Sequence, residues 1–445
     1  MKWKEFFKDK KVTQMGLGLL GRGVGDALFL SEHCAELIVT DIKTKEELAV
    51  SSDQLSLCKN ITYRLGHHEL EDFQDRDFIL KGAGVALDSL FIEHARDNDI
   101  PIEMDESLFA KLAQDVTIIG VTGTRGKTTV ATLIHHILEL CGKRSHLAGN
   151  IRGIATLPLL SKIKKGDYVV MELSSWQLQG FGESRISPHV SVFTTFLDDH
   201  LNYYGGSRDL YFYDKSHIFR HQKKDDILIV GPQAESFVRD VVNIQSTVHV
   251  AHASCVPENF VLPIPGEHNK ENIACALLAV QSLGISIEDQ KKGIESFRAV
   301  AGRLEFIKEI HGIPVYNDNN ATTADATIVA LRSVGDVSVD HANIILIAGG
   351  ADKGLSMKKL HTEIESKCKF VVFLDGTGTK EFLDKHPLSV PHIIVSSMKN
   401  AVANAFEKTT AGDVILFSPA FASFGIFKNE YDRNDQFIHE IESLK

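Results

Sequence analysis

The chain has 445 residues, 43% of them hydrophobic and 24% charged, a composition typical of globular proteins with two to four domains. A net charge of -11 excludes a broad basic face for binding nucleic acid. With a charged N-terminus and no run of about 18 apolar residues, we expect neither a secretion signal nor a membrane span. Six scattered cysteines without Cys-x-x-Cys spacing predict reduced thiols and a cytoplasmic protein.

The N-terminal third contains a glycine-rich loop between a predicted strand and a predicted helix. The strand pattern of residues 11–15 leads into Gly16-Leu17-Gly18-Leu19-Leu20-Gly21, and a helical pattern follows. A second predicted strand ends at Asp41, twenty positions after Gly21, which is the spacing of the dinucleotide fingerprint. The same loop would hold any nucleotide diphosphate, including one attached to a sugar. A nicotinamide-dependent oxidoreductase and a sugar-nucleotide enzyme therefore both remain open.

The next loop in the chain predicts a nucleotide triphosphate site. An apolar strand pattern over 116–121 breaks into Thr-Gly-Thr-Arg-Gly-Lys-Thr-Thr and continues as a helical pattern over 130–140. Position 121 is Val where the usual phosphate-binding loop has glycine, so the loop is a variant. Lys127 would neutralise the β- and γ-phosphates, and Thr128 would supply a hydroxyl to Mg²⁺. The predicted ATP-binding residues here are Gly123, Thr124, Arg125, Gly126, Lys127, Thr128 and Thr129.

Three further side chains follow predicted secondary structure in the central third. Glu172 ends a buried strand pattern, where a carboxylate suits Mg²⁺ but could equally cap a helix. His200 follows another strand beside two acidic residues, and Lys215 lies on a helical pattern. Taken alone, Lys215 would be an ordinary surface lysine. Beyond residue 300, alternating strand and helix patterns predict a third α/β domain with a mostly parallel sheet.

Eight motifs in a fixed order extend over most of the chain. They are Gly-Thr-Arg-Gly-Lys-Thr-Thr (123–129), Glu-Leu-Ser-Ser-Trp-Gln-Leu (172–178), Asp-Asp-His-Leu (198–201), Gly-Glu-His-Asn-Lys-Glu-Asn (266–272), Gly-Arg-Leu-Glu (302–305), Asn-Asp-x-x-Ala-Thr (317–322), Gly-Gly-x-Asp-Lys (349–353) and Ser-Pro-Ala-x-Ala-Ser-Phe (418–424). Each motif alone is weak, but the ordered set is highly specific. The chain resembles the Mur ligase family, and most of all the type that adds glutamate to UDP-N-acetylmuramoyl-L-alanine.

The resemblance implies a three-domain α/β fold and an ATP-dependent amide ligase of peptidoglycan precursor synthesis, with a role in cell shape and division. The expected domains are a Rossmann-like domain for the UDP-sugar at 1–108, a central P-loop domain with a mostly parallel sheet at 109–299, and a Rossmann-like domain for the amino acid at 300–445. ATP would phosphorylate the substrate carboxylate, and the incoming amine would then displace phosphate. The resemblance also implies Mg²⁺ at two sites and a monomer.

The resemblance assigns roles to residues at matching positions. The catalytic group comprises Lys127, Glu172, His200 and Lys215. Magnesium would be held by Thr128, Glu172, His200 and Lys215, the last of which stands where the family carries a carbamylated lysine. Further ATP contacts would come from Asn269, Asn272, Arg303 and Asp318. The substrate-binding residues would be Gly18, Leu19, Leu20, Asp41, Gly84 and Asn150 for the UDP-sugar, and Thr322, Lys353 and Ser423 for glutamate.

Two departures from the family pattern fall around the amino-acid pocket. Asn320 replaces a lysine, and Glu430 replaces a phenylalanine. They leave open whether D-glutamate, L-glutamate or another amino acid is added. A ligase that extends folate with glutamate on the same scaffold is an alternative, although the N-terminal glycine-rich loop argues against it.

Overall fold

The computed structural model describes residues 2–19, 21–334 and 342–444, and the described residues form three β-sheets. The chain divides into two compact units. The first comprises Met1–Asn259 with Glu271–Ile294, and the second comprises Phe260–Lys270 with Glu295–Lys445. Leu20, one of the predicted substrate-binding residues, lies outside the described residues.

The first sheet belongs to the first unit and has five parallel strands in the order β3-β2-β1-β4-β5. Its strands are β1 Lys11–Met15, β2 Glu36–Asp41, β3 Ile61–Leu65, β4 Phe78–Lys81 and β5 Ile102–Glu103. Its helices are α1 Lys2–Phe7, α2 Arg22–His33, α3 Ala49–Asp53, α4 Leu90–Asp97 and α5 Asp105–Leu112. The strand order reverses direction between β1 and β4, and such a switch point is where open α/β sheets bind ligands.

The second sheet also belongs to the first unit and has six parallel strands in the order β11-β10-β9-β6-β8-β7. Its strands are β6 Thr117–Thr122, β7 Ser145–Gly149, β8 Tyr168–Glu172, β9 Val190–Phe193, β10 Ile227–Val230 and β11 Thr247–Val250. The helices that follow are α6 Lys127–Leu140, α7 Ser175–Ser184, α8 Arg208–Arg220, α9 Glu235–Arg239, α10 Glu267–Ser282 and α11 Ile287–Ser296. The carboxyl ends of β6, β8 and β9 meet at one edge of this sheet.

The third sheet belongs to the second unit and has the order β12-β13-β17-β14-β15-β16, with β12 and β13 antiparallel and the other pairs parallel. Its strands are β12 Glu305–Ile310, β13 Ile313–Asn317, β14 Ile344–Gly349, β15 Cys368–Leu374, β16 His392–Val395 and β17 Val414–Phe417. Its helices are α12 Ala324–Val334, α13 Lys358–Lys367, α14 Thr377–Lys385, α15 Met398–Glu407 and α16 Glu430–Ser443.

The apolar runs of the sequence account for where the cores lie. One core joins the elements around the first two sheets, where Leu108 of α5 packs in the same cluster as Phe181 of α7. The third sheet is buried on both faces, since Leu346 faces one core and the adjacent Ile347 faces the other. These buried parallel strands explain why the sequence shows continuous apolar runs rather than alternation.

The predicted strands and helices that carry the motifs are confirmed. The strand expected at 190–193 is β9, and the helix expected after the P-loop begins at Lys127. The domain boundaries after residues 108 and 299 stay predictions. Among the described residues, no helix is both long enough and apolar enough to cross a bilayer.

Candidate active site

The P-loop connects β6 to α6, and two glycines give it its shape. Gly126 precedes the helix with φ 86°, in the left-handed region, and a Cβ there would lie 2.2 Å from Oδ1 of Asn272. Gly123 has φ 143°, and a Cβ there would lie 2.0 Å from Oγ1 of Thr194. Both positions therefore require glycine. The predicted ATP-binding Asn272 lies directly against the loop.

Residues at the end of β9 hold the P-loop in place. The backbone N–H of Thr124 donates to the carbonyl of Thr195 at 2.7 Å, and the N–H of Arg125 donates to Oγ1 of Thr195 at 2.9 Å. The Thr194 hydroxyl donates to the carbonyl of Arg125. Inside the loop, Nζ of Lys127 donates to the carbonyls of Gly123 at 3.1 Å and Thr124 at 3.2 Å. The ammonium group is thus kept at the loop, as phosphate binding requires.

Glu172 lies at the end of β8, next to the first turn of α6. Its Oε2 accepts a hydrogen bond from the Thr128 hydroxyl at 2.5 Å, and its Oε1 accepts one from Nδ2 of Asn150 at 3.2 Å. The backbone N–H of Asn150 also donates to the Glu172 carbonyl at 2.8 Å. Three residues predicted separately for metal and substrate binding therefore form one contact group. Glu172 does not cap the helix that follows it, because the N-cap of α7 is Ser174.

Lys215 is buried, with only 2% of its surface exposed, so the expectation for an isolated surface lysine is wrong. Its Nζ donates to the Gly123 carbonyl at 2.9 Å and lies 4.8 Å from the centre of the Tyr211 ring. Burial, and next the positive charge of Lys127, hold the pKa of the Lys215 amine well below its ordinary value of 10.5. Lys127 and Lys215 therefore donate to the same P-loop carbonyl, that of Gly123. The lowered pKa favours an uncharged, nucleophilic amine at Lys215.

His200 lies in the loop after β9 and has φ 52°. Its side chain is 46% exposed, and its ring centre lies 4.9 Å from that of Trp176 on α7. Burial of the ring lowers the pKa of His200, although Asp199 acts in the opposite direction. A neutral imidazole is the form that binds metal. Among the residues that the structure describes, His200 makes no hydrogen bond to Glu172 or Lys215.

The glycine loop after β1 lines a cavity of about 600 Å³, together with the loop after β4. Gly18, Leu19 and Gly84, which the resemblance predicts to contact the UDP-sugar, all lie on its wall. Asp41 lies there too, but its Oδ2 accepts hydrogen bonds from the backbone N–H groups of Leu17 at 2.9 Å and Gly18 at 3.0 Å. One carboxylate oxygen of Asp41 therefore already fixes the loop itself.

In the second unit, two of the predicted ATP contacts, Arg303 and Asp318, lie around the end of β13. Asp318 accepts hydrogen bonds from the backbone N–H of Leu304 at 3.0 Å and from the Ser418 hydroxyl at 2.9 Å. The neighbouring Arg303 has a buried Nε with no hydrogen-bond partner among the described residues. Asn269 donates to the Pro265 carbonyl at 2.7 Å. The unpaired Nε of Arg303 leaves a donor available to a ligand.

The predicted amino-acid contacts lie at the carboxyl ends of β13, β14 and β17. Nζ of Lys353 donates to the Thr322 hydroxyl at 2.8 Å. Residues 351 and 422 pair through backbone hydrogen bonds of 3.0 and 3.1 Å, which brings the loop with Ser423 beside the loop with Lys353. A cation and hydroxyl donors in one place suit a carboxylate ligand.

The comparisons with known proteins decide the family. The model of the Mur ligase middle domain matches residues 121–251, and that of the Mur ligase, glutamate ligase domain, matches residues 302–421. The UDP-N-acetylmuramoylalanine--D-glutamate ligase of Roseiflexus sp. (strain RS-1) is 33% identical over 98% of this chain and 99% of its own length. The protein of that name from Lactococcus lactis subsp. lactis (strain IL1403) is 34% identical over 99% of this chain and 98% of its own length.

The chain belongs to the Mur ligase family. The solved structure of the UDP-N-acetylmuramate-alanine ligase MurC from Thermotoga maritima matches with a TM-score of 0.61 and 21% identity, over 98% of this chain and 100% of that one. This match confirms the three-domain α/β fold. As a Mur ligase, the protein is an ATP-dependent ligase of peptidoglycan precursor synthesis, and the nicotinamide-dependent oxidoreductase alternative is wrong.

Arg433 stabilises the predicted site in the second unit of this Mur ligase, and the sequence does not predict it. Arg433 of α16 is fully buried and donates to Oδ1 of Asn319 at 2.8 Å, to the Asn319 carbonyl at 3.0 Å and to the Phe421 carbonyl at 3.1 Å. It thereby ties together the two loops that carry Asp318 and Ser423. Burial lowers the pKa of its guanidinium to about 10. Its partners lie up to 114 residues away, so no local motif marks it.

Asn320 and Glu430, the two departures from the family pattern, both make hydrogen bonds near the predicted amino-acid pocket. Nδ2 of Asn320 donates to the Ala301 carbonyl at 3.4 Å. The carbonyl of Glu430 accepts a hydrogen bond from Nδ2 of Asn319 at 2.9 Å. Asn320 and Glu430 therefore both neighbour Asn319, beside the predicted amino-acid pocket.

Proposed function

We propose that this Mur ligase joins glutamate to UDP-N-acetylmuramoyl-L-alanine and that the reaction proceeds through an acyl phosphate. The observation that carries the proposal is the grouping of Lys127, Thr128, Glu172 and Lys215 around one P-loop. The names of the relatives from Roseiflexus and Lactococcus support the substrates. We further infer that the enzyme acts in the cytoplasm, in keeping with its six free cysteines. We also infer that it is a monomer.

The chemistry requires a carboxylate to become an electrophile. A carboxylate oxygen of the acceptor attacks the γ-phosphorus of ATP, ADP leaves, and the resulting acyl phosphate carries a good leaving group. The amine of glutamate then attacks the acyl carbon, and phosphate departs with the oxygen that came from the carboxylate. Lys127 lowers the repulsion between the two anions in the first step, because its ammonium group lies on the P-loop.

The side chains of Thr128, in the first turn of α6, and Glu172, at the end of β8, fit a magnesium ion. Thr128 and Glu172 offer hard oxygen donors 2.5 Å apart. The described residues contain no group of three or more His, Cys, Asp or Glu side chains that could hold a metal by themselves. That agrees with Mg²⁺, which proteins usually bind through one or two carboxylates and the phosphates of the substrate. When bound, the ion would neutralise charge on those phosphates. We infer a second magnesium site near His200.

We also propose that Lys215 carries a carbamate. The uncharged amine attacks CO₂, a C–N bond forms, one proton is released to water, and the side chain becomes an anion. Two observations support this: the amine is enclosed beside the P-loop, and its pKa is well below the ordinary value. An anionic oxygen donor would suit Mg²⁺, whereas a buried ammonium 2.9 Å from a carbonyl would not.

The remaining contacts divide between ATP and the two other substrates. We assign Asn269, Asn272, Arg303 and Asp318 to ATP. Gly18, Leu19, Leu20, Asp41, Gly84 and Asn150 are assigned to the UDP-sugar. For glutamate we propose Thr322, Lys353 and Ser423, since the hydrogen bond from Lys353 to Thr322 can be exchanged for one to a carboxylate.

A coupled assay tests the proposal. Protein, ATP, Mg²⁺ and UDP-N-acetylmuramoyl-L-alanine are incubated with D- or L-glutamate, and phosphate release and the new amide bond are followed. We expect both with one isomer and neither with the Lys127→Met variant. A parallel incubation replaces UDP-N-acetylmuramoyl-L-alanine with a folate, and phosphate release there would favour the folate-extending alternative. If no amide bond forms with either glutamate isomer, the proposed acceptor and amino acid are contradicted.

A further inference from the structure

Arg22 occupies the junction between the UDP-sugar cavity and the P-loop region of the first unit. It is the first residue of α2, directly after the glycine loop, and it lines the cavity. Its Nη1 donates to the Gly149 carbonyl at 3.5 Å and lies 3.9 Å from Oε1 of Glu106. The side chain is 22% exposed. One guanidinium group therefore faces the cavity and also touches two segments that lead to Glu172.

The first segment runs from Gly149 to Glu172. Asn150 follows Gly149 and binds Glu172 through both its backbone N–H and its side-chain amide, at 2.8 and 3.2 Å. A Cβ on Gly149 would lie 2.1 Å from the Glu172 carbonyl, so the two strand ends are in tight contact. A shift of the Gly149 carbonyl would therefore move the partner of the Glu172 carboxylate.

The second segment runs through Glu106 of α5 and Gln177 of α7. Nε2 of Gln177 donates to Oε1 of Glu106, and Oε1 of Gln177 accepts from the backbone N–H of Ser174 at 2.9 Å. The Ser174 hydroxyl completes a capping box by accepting from the Gln177 N–H at 3.3 Å. This box begins two residues after Glu172 and so fixes the chain that leaves β8.

Glu106 acts in this network as a hydrogen-bond acceptor. It is fully buried, and burial, together with the charge of Asp105, holds the pKa of its carboxyl well above the ordinary range. At 3.9 Å, Arg22 is too far for a direct hydrogen bond to it. The guanidinium consequently keeps donors for an anion at the N-terminus of α2, where backbone N–H groups and the helix dipole also favour phosphate.

We propose that Arg22 is a positioning residue that couples occupation of the UDP-sugar cavity to the orientation of Glu172. A diphosphate in the cavity fixes the guanidinium, because phosphate accepts from the N–H donors that the bond to the Gly149 carbonyl leaves over. The fixed guanidinium then holds in place the two segments, one from Gly149 to Asn150 and one from Glu106 through Gln177 to Ser174. Both segments contact or adjoin Glu172. This inference depends on the proposed function in one respect, which is that the ligand of the cavity is a UDP-sugar.

Hydrogen exchange of the whole chain tests the coupling, with UDP as the probe. UDP affinity is first measured by calorimetry, so that the wild type and Arg22→Met are compared at equal occupancy. In the wild type we expect UDP to slow exchange at the Asn150 and Ser174 amides by roughly tenfold, the effect of strengthening one hydrogen bond. In Arg22→Met at equal occupancy we expect less than about a twofold change. Equal protection in both proteins would overturn the inference.

Two further variants separate coupling from a general loss of packing. Arg96→Met removes another bridge to α7, the 3.4 Å ion pair between Arg96 and Glu183, and should leave the UDP-induced protection unchanged. Glu106→Gln keeps an acceptor for Gln177 and should retain the protection, whereas Glu106→Ala should lose it. Loss of protection in Arg96→Met as well would overturn the specific role of Arg22. If UDP does not bind the wild type, both this inference and the proposed acceptor fail. If UDP binds and protects equally in all variants, only the inference fails.

Discussion

Replacing Lys215 with Met should remove activity without reducing stability. The amine is the proposed site of the carbamate, whereas Met can fill the same buried space. The substitution has two structural consequences. The Gly123 carbonyl loses a 2.9 Å hydrogen bond, which costs about 1 kcal/mol, and a buried polar group is replaced by an apolar side chain of similar length. These effects oppose each other, and the second is the larger at neutral pH, because there the folded wild type must bury a charge or give up a proton that the unfolded chain keeps. We therefore expect Lys215→Met to be at least as stable as the wild type at neutral pH.

Activity should respond very differently. Loss of an outer partner of a metal ligand costs roughly 10- to 100-fold, so loss of the proposed carbamate ligand should cost more than about 100-fold. Phosphate release in the presence of all substrates measures this. Added bicarbonate should raise wild-type activity measured in CO₂-depleted buffer, and a small carboxylate such as acetate should partly restore Lys215→Met. The matched control is Lys223→Met, an exposed lysine just beyond α8, which should behave as the wild type.

The pH dependence of stability gives an independent check. In the unfolded chain the Lys215 amine has its ordinary pKa of 10.5, while in the folded chain the pKa is well below that value. Between these two pKa values the unfolded state binds a proton that the folded state does not, so wild-type stability rises with pH relative to Lys215→Met. Denaturant unfolding of both proteins in CO₂-depleted buffer, where Lys215 stays an amine, at several pH values up to 10 measures this difference. A variant that keeps more than about a tenth of the activity would refute the metal-ligand role, and parallel pH profiles would refute the lowered pKa.

Three other substitutions test the remaining contacts. Lys127→Met should abolish ATP-dependent turnover while circular dichroism stays unchanged, and substantial residual turnover would count against its place at the phosphates. Glu172→Gln keeps an acceptor for Thr128 but loses the charge, so the Mg²⁺ concentration for half-maximal rate should rise by roughly 10- to 100-fold, and an unchanged requirement would remove Glu172 from the metal site. Lys353→Met should raise the KM for glutamate by roughly 10- to 100-fold with the KM for ATP unchanged, and the reverse pattern would reassign Lys353 to ATP.

The parts of the structure that sequence predicted well are those that depend on local patterns. The P-loop, the strand that ends at Glu172 and the glycine loop after β1 all combine an apolar run with a turn at its end, and both are visible within about 15 residues. The family resemblance predicts that Thr322 and Lys353 bind the same ligand, and their side chains are in contact at 2.8 Å. Such contacts follow because parallel strands present their carboxyl ends at the same edge of a sheet.

Contacts between distant segments could not be predicted in this way. Gln177 and Glu106 are 71 residues apart, and Arg433 and Asn319 are 114 apart, with no spacing rule that links them. The burial of Lys215 depends on where α8 packs, which its own sequence does not reveal. The spacing after the glycine loop predicts that Asp41 contacts a ligand. Asp41 does line the cavity, but its Oδ2 accepts hydrogen bonds from the loop N–H groups, which the spacing does not distinguish from a ligand contact.

The central claim is that ATP at the Lys127 loop activates a carboxylate for attack by an amine, and oxygen labelling tests it most directly. UDP-N-acetylmuramoyl-L-alanine labelled with ¹⁸O in its terminal carboxylate is incubated with protein, ATP, Mg²⁺ and glutamate, and the released phosphate is analysed by mass spectrometry. The account predicts one labelled oxygen in each phosphate released per amide bond formed. Amide formation with unlabelled phosphate, or no amide formation with any amino acid supplied, would contradict it.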